Sequence, residues 1–203
     1  MAARVVLATR NAHKVEEVRR ILEAAGVDGV ELLSLDGFDA PEVVEDGATF
    51  VENAVLKARS AVAATGLPAL ADDSGIAVDA LNGMPGVLSA RWSGGRGDAA
   101  NVDLLLAQVA DVPDERRGAS FVCAVALALP DGTLVTEEGV VAGTLLRERR
   151  GTGGFGYDPV FVPLGHEQST AELSPAEKDR LSHRGLALRA LAPRLAELGR
   201  AAG

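Results

Sequence analysis

A single cysteine, seven aromatic residues and three lysines are what this 203-residue sequence has least of. One cysteine excludes an intrachain disulfide and a cysteine-rich zinc site. Cys123 lies in the apolar run Phe-Val-Cys-Ala-Val-Ala-Leu, which reads as core rather than as a reactive thiol. Long hydrophobic runs are also missing. The longest, Phe121 to Leu129, falls far short of the ~18 residues of a membrane helix. Near the N-terminus only Val5-Val6-Leu7-Ala8 is apolar, too short for a secretory signal, so a cytoplasmic location and no membrane partner are expected. Positive charge is scarce, with 20 basic against 29 acidic residues and a net charge of −9. That argues against a nucleic-acid polymer as partner. A small polyanion held by a few local cations stays open. With 47% hydrophobic and 24% charged residues the chain is neither disordered nor fibrous, and one domain over residues 1–203 is expected.

Of the twenty basic residues only Lys14, Lys57 and Lys178 are lysines. In a chain that otherwise uses arginine, these three mark places for a compact ammonium rather than a planar fork. They are expected to line one cleft.

Apolar periods alternate between two and 3.6, which predicts an α/β or α+β fold, α/β being the fold class taken forward. Residues 4–8 read as a buried strand, and Asn11 caps a helix to about Ala25. Glu31 to Ser34 read as a second strand. Thr49 with Glu52 forms a capping box for a helix to about Thr65, closed by Gly66. Residues 69–80 read as strand, turn, strand, with Asp-Asp-Ser-Gly as the turn. Asp98 caps a helix. Ala119 to Leu129 and Leu134 to Val141 pair as a hairpin. A strand follows near Val160. Ser174-Pro175-Ala176-Glu177 starts a helix with a break near Ser182 and a kink or restart at Pro193.

Five segments carry residue types suited to chemistry. Thr9-Arg10-Asn11-Ala12-His13-Lys14 joins a strand to a helix, where amide donors suit phosphate. Asp72-Asp73 ends an apolar strand, and adjacent acids there suit Mg2+ or an activated water. Their alternation means that only one of the two faces the site. Glu45-Asp46-Gly47 precedes the helix bearing Lys57 and offers a second carboxylate. Gly151 to Asp158 sets Phe155 and Tyr157 among glycines, so backbone can approach a ligand while a ring stacks on it. Lys178 and Ser182-His183-Arg184-Gly185 offer directional donors. Each has a plain structural alternative: a capped helix, a turn, a solvated loop, a covered core or a surface pair. Trp92 reads equally as core or interface.

Taken together, VVLATRNAHK, DGATFVENAVLKA, LADDSGIAVDAL, PGVLSARWSG, GTGGFGYDPVF and LSHRGLAL resemble the inosine/xanthosine triphosphate pyrophosphatase family, in order and across residues 5–188. The resemblance implies an elongated mixed β-sheet flanked by helices, with two lobes and a nucleotide cleft between them. It also implies a homodimer. The implied activity is Mg2+-dependent hydrolysis of ITP, dITP and XTP to monophosphate and pyrophosphate, which cleanses the nucleotide pool. Carried onto this chain, Thr9, Arg10, Asn11, Ala12, His13 and Lys14 become the phosphate loop. Glu45 and Asp73 become metal carboxylates, with Asp73 the general base. Lys57 and Ser74 become substrate contacts. Phe155, Gly156, Tyr157 and Asp158 form the base loop, and Lys178, His183 and Arg184 complete the site. Arg10 and Pro193 depart from the family pattern. Donors from Arg184 and a loop amide would favour a 6-oxo purine over adenine. A nucleotide sensor without turnover is the rival reading, but it has no need of Glu45 and Asp73. A pyrophosphatase for modified pyrimidines is a second rival, disfavoured by His183-Arg184.

Overall fold

In the computed structural model residues 2–202 are described. Six strands form one mixed sheet in the order β2-β1-β3-β4-β5-β6. They are β1 (Ala3–Leu7), β2 (Val30–Ser34), β3 (Ala69–Val78), β4 (Gly118–Ala128), β5 (Leu134–Leu145) and β6 (Phe161–Pro163). Five α-helices accompany them: α1 (Ala12–Ala24), α2 (Phe50–Thr65), α3 (Asp98–Gln108), α4 (Pro175–Leu181) and α5 (His183–Ala202). β1 runs parallel to β2 and β3, with Val5 opposite Leu32 and Val6 opposite Ala69, whereas β6 runs antiparallel to β5. No helix among the described residues is long and apolar enough to cross a membrane.

The chain divides into two compact units. Unit 1 holds residues 1–73, 123–139 and 184–203; unit 2 holds 74–122 and 140–183.

Unit 1 is built on the two-residue period of its strands. Val5, Leu7, Leu70, Cys123, Val125 and Leu127 face one way. They meet Val18, Ile21 and Leu22 of α1 and Leu188, Leu191 and Leu195 of α5. Val6, Ala8, Ala69, Ala71, Ala124 and Ala126 face the other way, onto Ala54, Ala58 and Ala61 of α2. The first face is filled by branched side chains. The second is lined with methyl groups, so α2 lies close to the strands. Thr49 and Glu52 form the reciprocal capping box of α2, and Gly66 ends it at φ 68°.

Unit 2 gathers Ile76 and Val78 of β3, Val102 and Leu105 of α3, Phe121, Leu145, Tyr157 and Phe161 around one core. Trp92 packs against this core while its indole donates to Gln108 Oε1 at 2.8 Å, so its surroundings are mixed.

Four expected boundaries are corrected. The Asp-Asp-Ser-Gly stretch is no turn: β3 runs unbroken from Ala69 to Val78. Gly75 serves close approach instead. A Cβ there would run into Ser89 Oγ, which also accepts the Ile76 amide at 2.9 Å. Gly97, at φ 89°, is the N-cap of α3, and Asp98 is its first helical residue. β5 continues past Val141 to Leu145. Pro193 lies inside α5, which restarts nowhere. Pro193 has no amide donor to give that helix. The break at Ser182 does occur: the Ser174–Glu177 capping box opens the short α4, and Ser182, in extended backbone, ends it with its amide donating to the Lys178 carbonyl.

Candidate active site

Strand parity explains what the two adjacent acids do. Asp72 shares the face of Leu70 and so meets α1 and α5. Its Oδ2 lies 3.0 Å from Lys14 Nζ and 2.9 Å from Arg184 Nη2. Arg184 also pairs with Glu17 of α1. Asp73 shares the alanine face and meets α2. Its Oδ1 lies 3.0 Å from Lys57 Nζ, and its Oδ2 accepts from Asn53 Nδ2 at 3.1 Å. Lys57 reaches Glu45 Oε1 at 3.2 Å as well. The two acids lie on opposite faces of β3, as strand alternation requires, and each is paired with its own cations.

The electrostatics of the two acids differ. Burial alone would push the Asp72 carboxyl up, but Lys14 and Arg184 outweigh it and hold it well below the usual range. Asp73 lies above the usual carboxylate range. Burial is the largest cause, the ammonium of Lys57 opposes it, and Glu45 adds to it. Burial lowers the Lys57 ammonium, yet Asp72, Asp73 and Glu45 together raise it above an ordinary lysine. A carboxylate with raised proton affinity beside a fixed ammonium suits a general base.

The resemblance implies Mg2+, and the residues fit it. Glu45 and Asp73 converge on one ammonium, which places two hard oxygen donors side by side. Mg2+ is commonly held by one or two carboxylates, with phosphate oxygens and waters completing its shell. Among the described residues no three His, Cys, Asp or Glu side chains form a larger cage. The ion pairs named above join four carboxylates, Glu17, Glu45, Asp72 and Asp73, to three cations, Lys14, Lys57 and Arg184.

The segment 9–14 is organised chiefly by its own side chains. Asn11 Oδ1 accepts the amides of His13 and Lys14, and Thr9 Oγ1 accepts the amide of Asn11. Ala12 opens α1, and His13 is exposed. Arg10 turns aside, donating to the Ala40 carbonyl at 2.9 Å and lying 3.8 Å from Asp36. Lys14 reaches the acidic cluster.

In unit 2 the loop 151–158 is folded around Asp158. This buried carboxylate accepts the Phe155 amide at 2.8 Å, the Lys178 ammonium at 2.6 Å and the Thr170 hydroxyl at 3.0 Å. A Cβ on Gly154, at φ 70°, would run into that carboxylate, so glycine is required there. The Gly156 amide donates to Asp98 at 2.8 Å. Tyr157 is core: its hydroxyl donates to the Ser89 carbonyl, and burial pushes its pKa up. Phe155 is the half-buried ring, with Lys178 Nζ 4.9 Å from its centroid. His183 stacks on Phe121 at 4.7 Å and an interplanar angle of 14°. A small hollow runs along Asp158, Thr170, Leu173, Lys178, Ser182 and His183. Ser74 is the first residue of unit 2.

The structure thus brings Lys14, Glu45, Lys57, Asp73 and Arg184 into one cluster of unit 1. It brings Phe155, Asp158, Lys178 and His183 together in unit 2. Arg184 is 1% exposed, and its guanidinium is bonded to Asp72 and Glu17. The Phe155 and Gly156 amides of the loop 151–158 both donate within the protein. Sequence reasoning missed Asn53, Glu17 and Thr170. Asn53 carries a signal in retrospect: an amide in an Ala- and Val-rich helix, one turn before Lys57.

Comparison with known proteins gives a consistent result. A family model described as the Ham1 family matches residues 5–194. A dITP/XTP pyrophosphatase of Nocardia farcinica is 62% identical over 200 residues, covering 97% of this chain and 96% of its own. The solved structure of a nucleoside-triphosphatase / dITP/XTP pyrophosphatase from Mycobacterium abscessus is 57% identical. It matches with a TM-score of 0.76 over 95% of this chain and 99% of its own. A HAM1 protein from Coxiella burnetii matches at 41% identity and a TM-score of 0.87, over 96% of this chain and 99% of that one.

Proposed function

The chain belongs to the Ham1 family, and from that premise we propose that it hydrolyses the 6-oxo purine triphosphates dITP, XTP and ITP to the monophosphate and pyrophosphate. The enzyme is a nucleoside triphosphate pyrophosphatase, and the proposed setting is the cytoplasmic nucleotide pool. The observation that carries the reading is the Lys57 ammonium shared by Glu45 and Asp73. A sensor would need cations alone, whereas this arrangement adds a carboxylate of raised proton affinity.

Each group has a task. Asp73 orients a water and takes its proton as the oxygen attacks phosphorus. Lys57 keeps Asp73 aligned and steadies charge that grows on the phosphate oxygens. Lys14 offers the α1 end of the cluster a cation for the triphosphate, with Asp72 holding it in place. Glu45 and Asp73 would hold Mg2+, which supplies charge neutralisation of the phosphates when bound. In unit 2, Phe155 offers a face for stacking on a purine. His183, held flat against Phe121, offers ring donors suited to a 6-oxo acceptor. Adenine presents an amino donor at that position, and donor facing donor leaves buried groups unpaired. A homodimer is the proposed assembly.

A nucleotide panel tests the reading. With Mg2+, kcat/KM for dITP, ITP and XTP should exceed that for ATP by at least ~10²-fold, a range that polar pockets reach. Chelation should abolish turnover. A ratio under about tenfold removes the keto-reading pocket.

A further inference from the structure

We infer that Asn53 is a positioning residue that fastens the Glu45-Asp46-Gly47 loop to Asp73 and so fixes the spacing of the two carboxylates. The inference rests on the proposed function, since it concerns the same carboxylates.

Asn53 has no exposed surface. Its Oδ1 accepts the Gly47 amide at 2.8 Å, and its Nδ2 donates to Asp73 Oδ2 at 3.1 Å. The partners are of opposite polarity, one a donor and one a carboxylate. Only one orientation of the side-chain amide satisfies both. Asn53 also lies one helical turn before Lys57, on the same face of α2. Asp73 is therefore held at both oxygens, by Lys57 at Oδ1 and by Asn53 at Oδ2. Glu45, two residues before Gly47, is held by Lys57. The loop carrying Glu45 would otherwise lack a regular element, for residues 41–47 belong to none. Glycine at 47 is part of the fastening. A Cβ there would stand 2.7 Å from Asn53 Oδ1 and 2.8 Å from Glu52 Cβ, so a larger residue must push the loop away. Its φ lies outside the left-handed region, so an alanine would act through contact rather than through backbone strain.

Two variants break this fastening from opposite sides: Asn53→Leu and Gly47→Ala. The first readout is amide hydrogen exchange over residues 44–48 of the free protein, which needs no nucleotide or metal. Both variants should speed exchange there by at least ~10-fold, as expected when a buried amide loses its acceptor. The second readout separates kcat from KM for dITP. Both should lower kcat by at least ~10-fold with KM within ~3-fold, because small misplacement of reacting groups costs rate rather than binding. The double variant should lose little more than either single one, as expected of two halves of one contact. Additive losses, unchanged exchange, or kcat at the wild-type level in folded Gly47→Ala would overturn the inference. If Asn53→Leu does not fold, Gly47→Ala alone decides by the same two readouts. A wild-type protein inert toward every triphosphate would sink the proposed function instead, and the exchange rates would then decide the fastening by themselves.

Discussion

The two units bury charge in different ways. In unit 2, Asp158 and Lys178 form one ion pair of equal and opposite charge, with side chains 4% and 8% exposed. Thr170 and the Phe155 amide satisfy the remaining acceptor sites of Asp158. In unit 1, four carboxylates face three cations, and Asp73 is left with raised proton affinity. A balanced, saturated pair fixes a shape. An unbalanced cluster keeps capacity for a proton or a cation. Removing charge should therefore cost unit 2 its stability and unit 1 its turnover.

The largest effect is expected from breaking the balanced pair. Lys178→Met should destabilise the protein by about 3–5 kcal/mol, because it strands a buried carboxylate. Thermal and urea unfolding measure this, and Lys178→Met combined with Asp158→Leu should recover much of the loss. A cost below about 1 kcal/mol would mean that the pair is already solvated. Next comes Asp73→Asn, which keeps the shape and removes the charge. Turnover should fall by at least ~10²-fold, the lower range for loss of a general base. Stability near neutral pH should hold or rise. The fold raises the Asp73 pKa, so ionising it opposes folding as pH climbs through and above the usual carboxylate range. Wild-type turnover with saturating Mg2+ would remove Asp73 from the mechanism.

A smaller effect tests α2 as a scaffold. Thr49→Ala removes the capping box and should cost about 1 kcal/mol of stability. The kcat of the folded fraction should stay unchanged, since Lys57 lies beyond the first turn and alanine keeps the residue-49 carbonyl that accepts the Asn53 amide. A matching fall in kcat would show that the helix end itself sets the cluster. The smallest signal concerns Cys123, whose thiol is pushed up to about 12, mainly by burial. It should resist a thiol reagent at pH 8 in the folded protein and react at once when unfolded. Rapid labelling of folded protein would mean that the face behind Asp72 opens.

Much of this was legible in the residues. Asn11, Thr49 with Glu52, Gly66 and Ser174 mark helix ends by local chemistry, and the structure places the ends there. The Asp-Asp-Ser-Gly turn failed because turn formers were read without their partners. The lysines and arginine that neutralise both acids come from 16 to 112 residues away, which no local rule can see. The bonding of Asp158 was hidden for another reason. Its role as the hub of its loop depends on Thr170 and Lys178, contacts that only tertiary packing creates. Arg184 reads as a surface donor in a polar string, yet its neighbour across α5 and β3 is Asp72.

The central claim is that this chain cleaves between the α- and β-phosphates of a 6-oxo purine triphosphate. The most direct test incubates the purified protein with dITP and Mg2+ and identifies the products by anion-exchange chromatography. The account predicts dIMP and inorganic pyrophosphate in equal amounts, with neither formed by Asp73→Asn on the same timescale. Release of dIDP and orthophosphate, or no release at all, would contradict it.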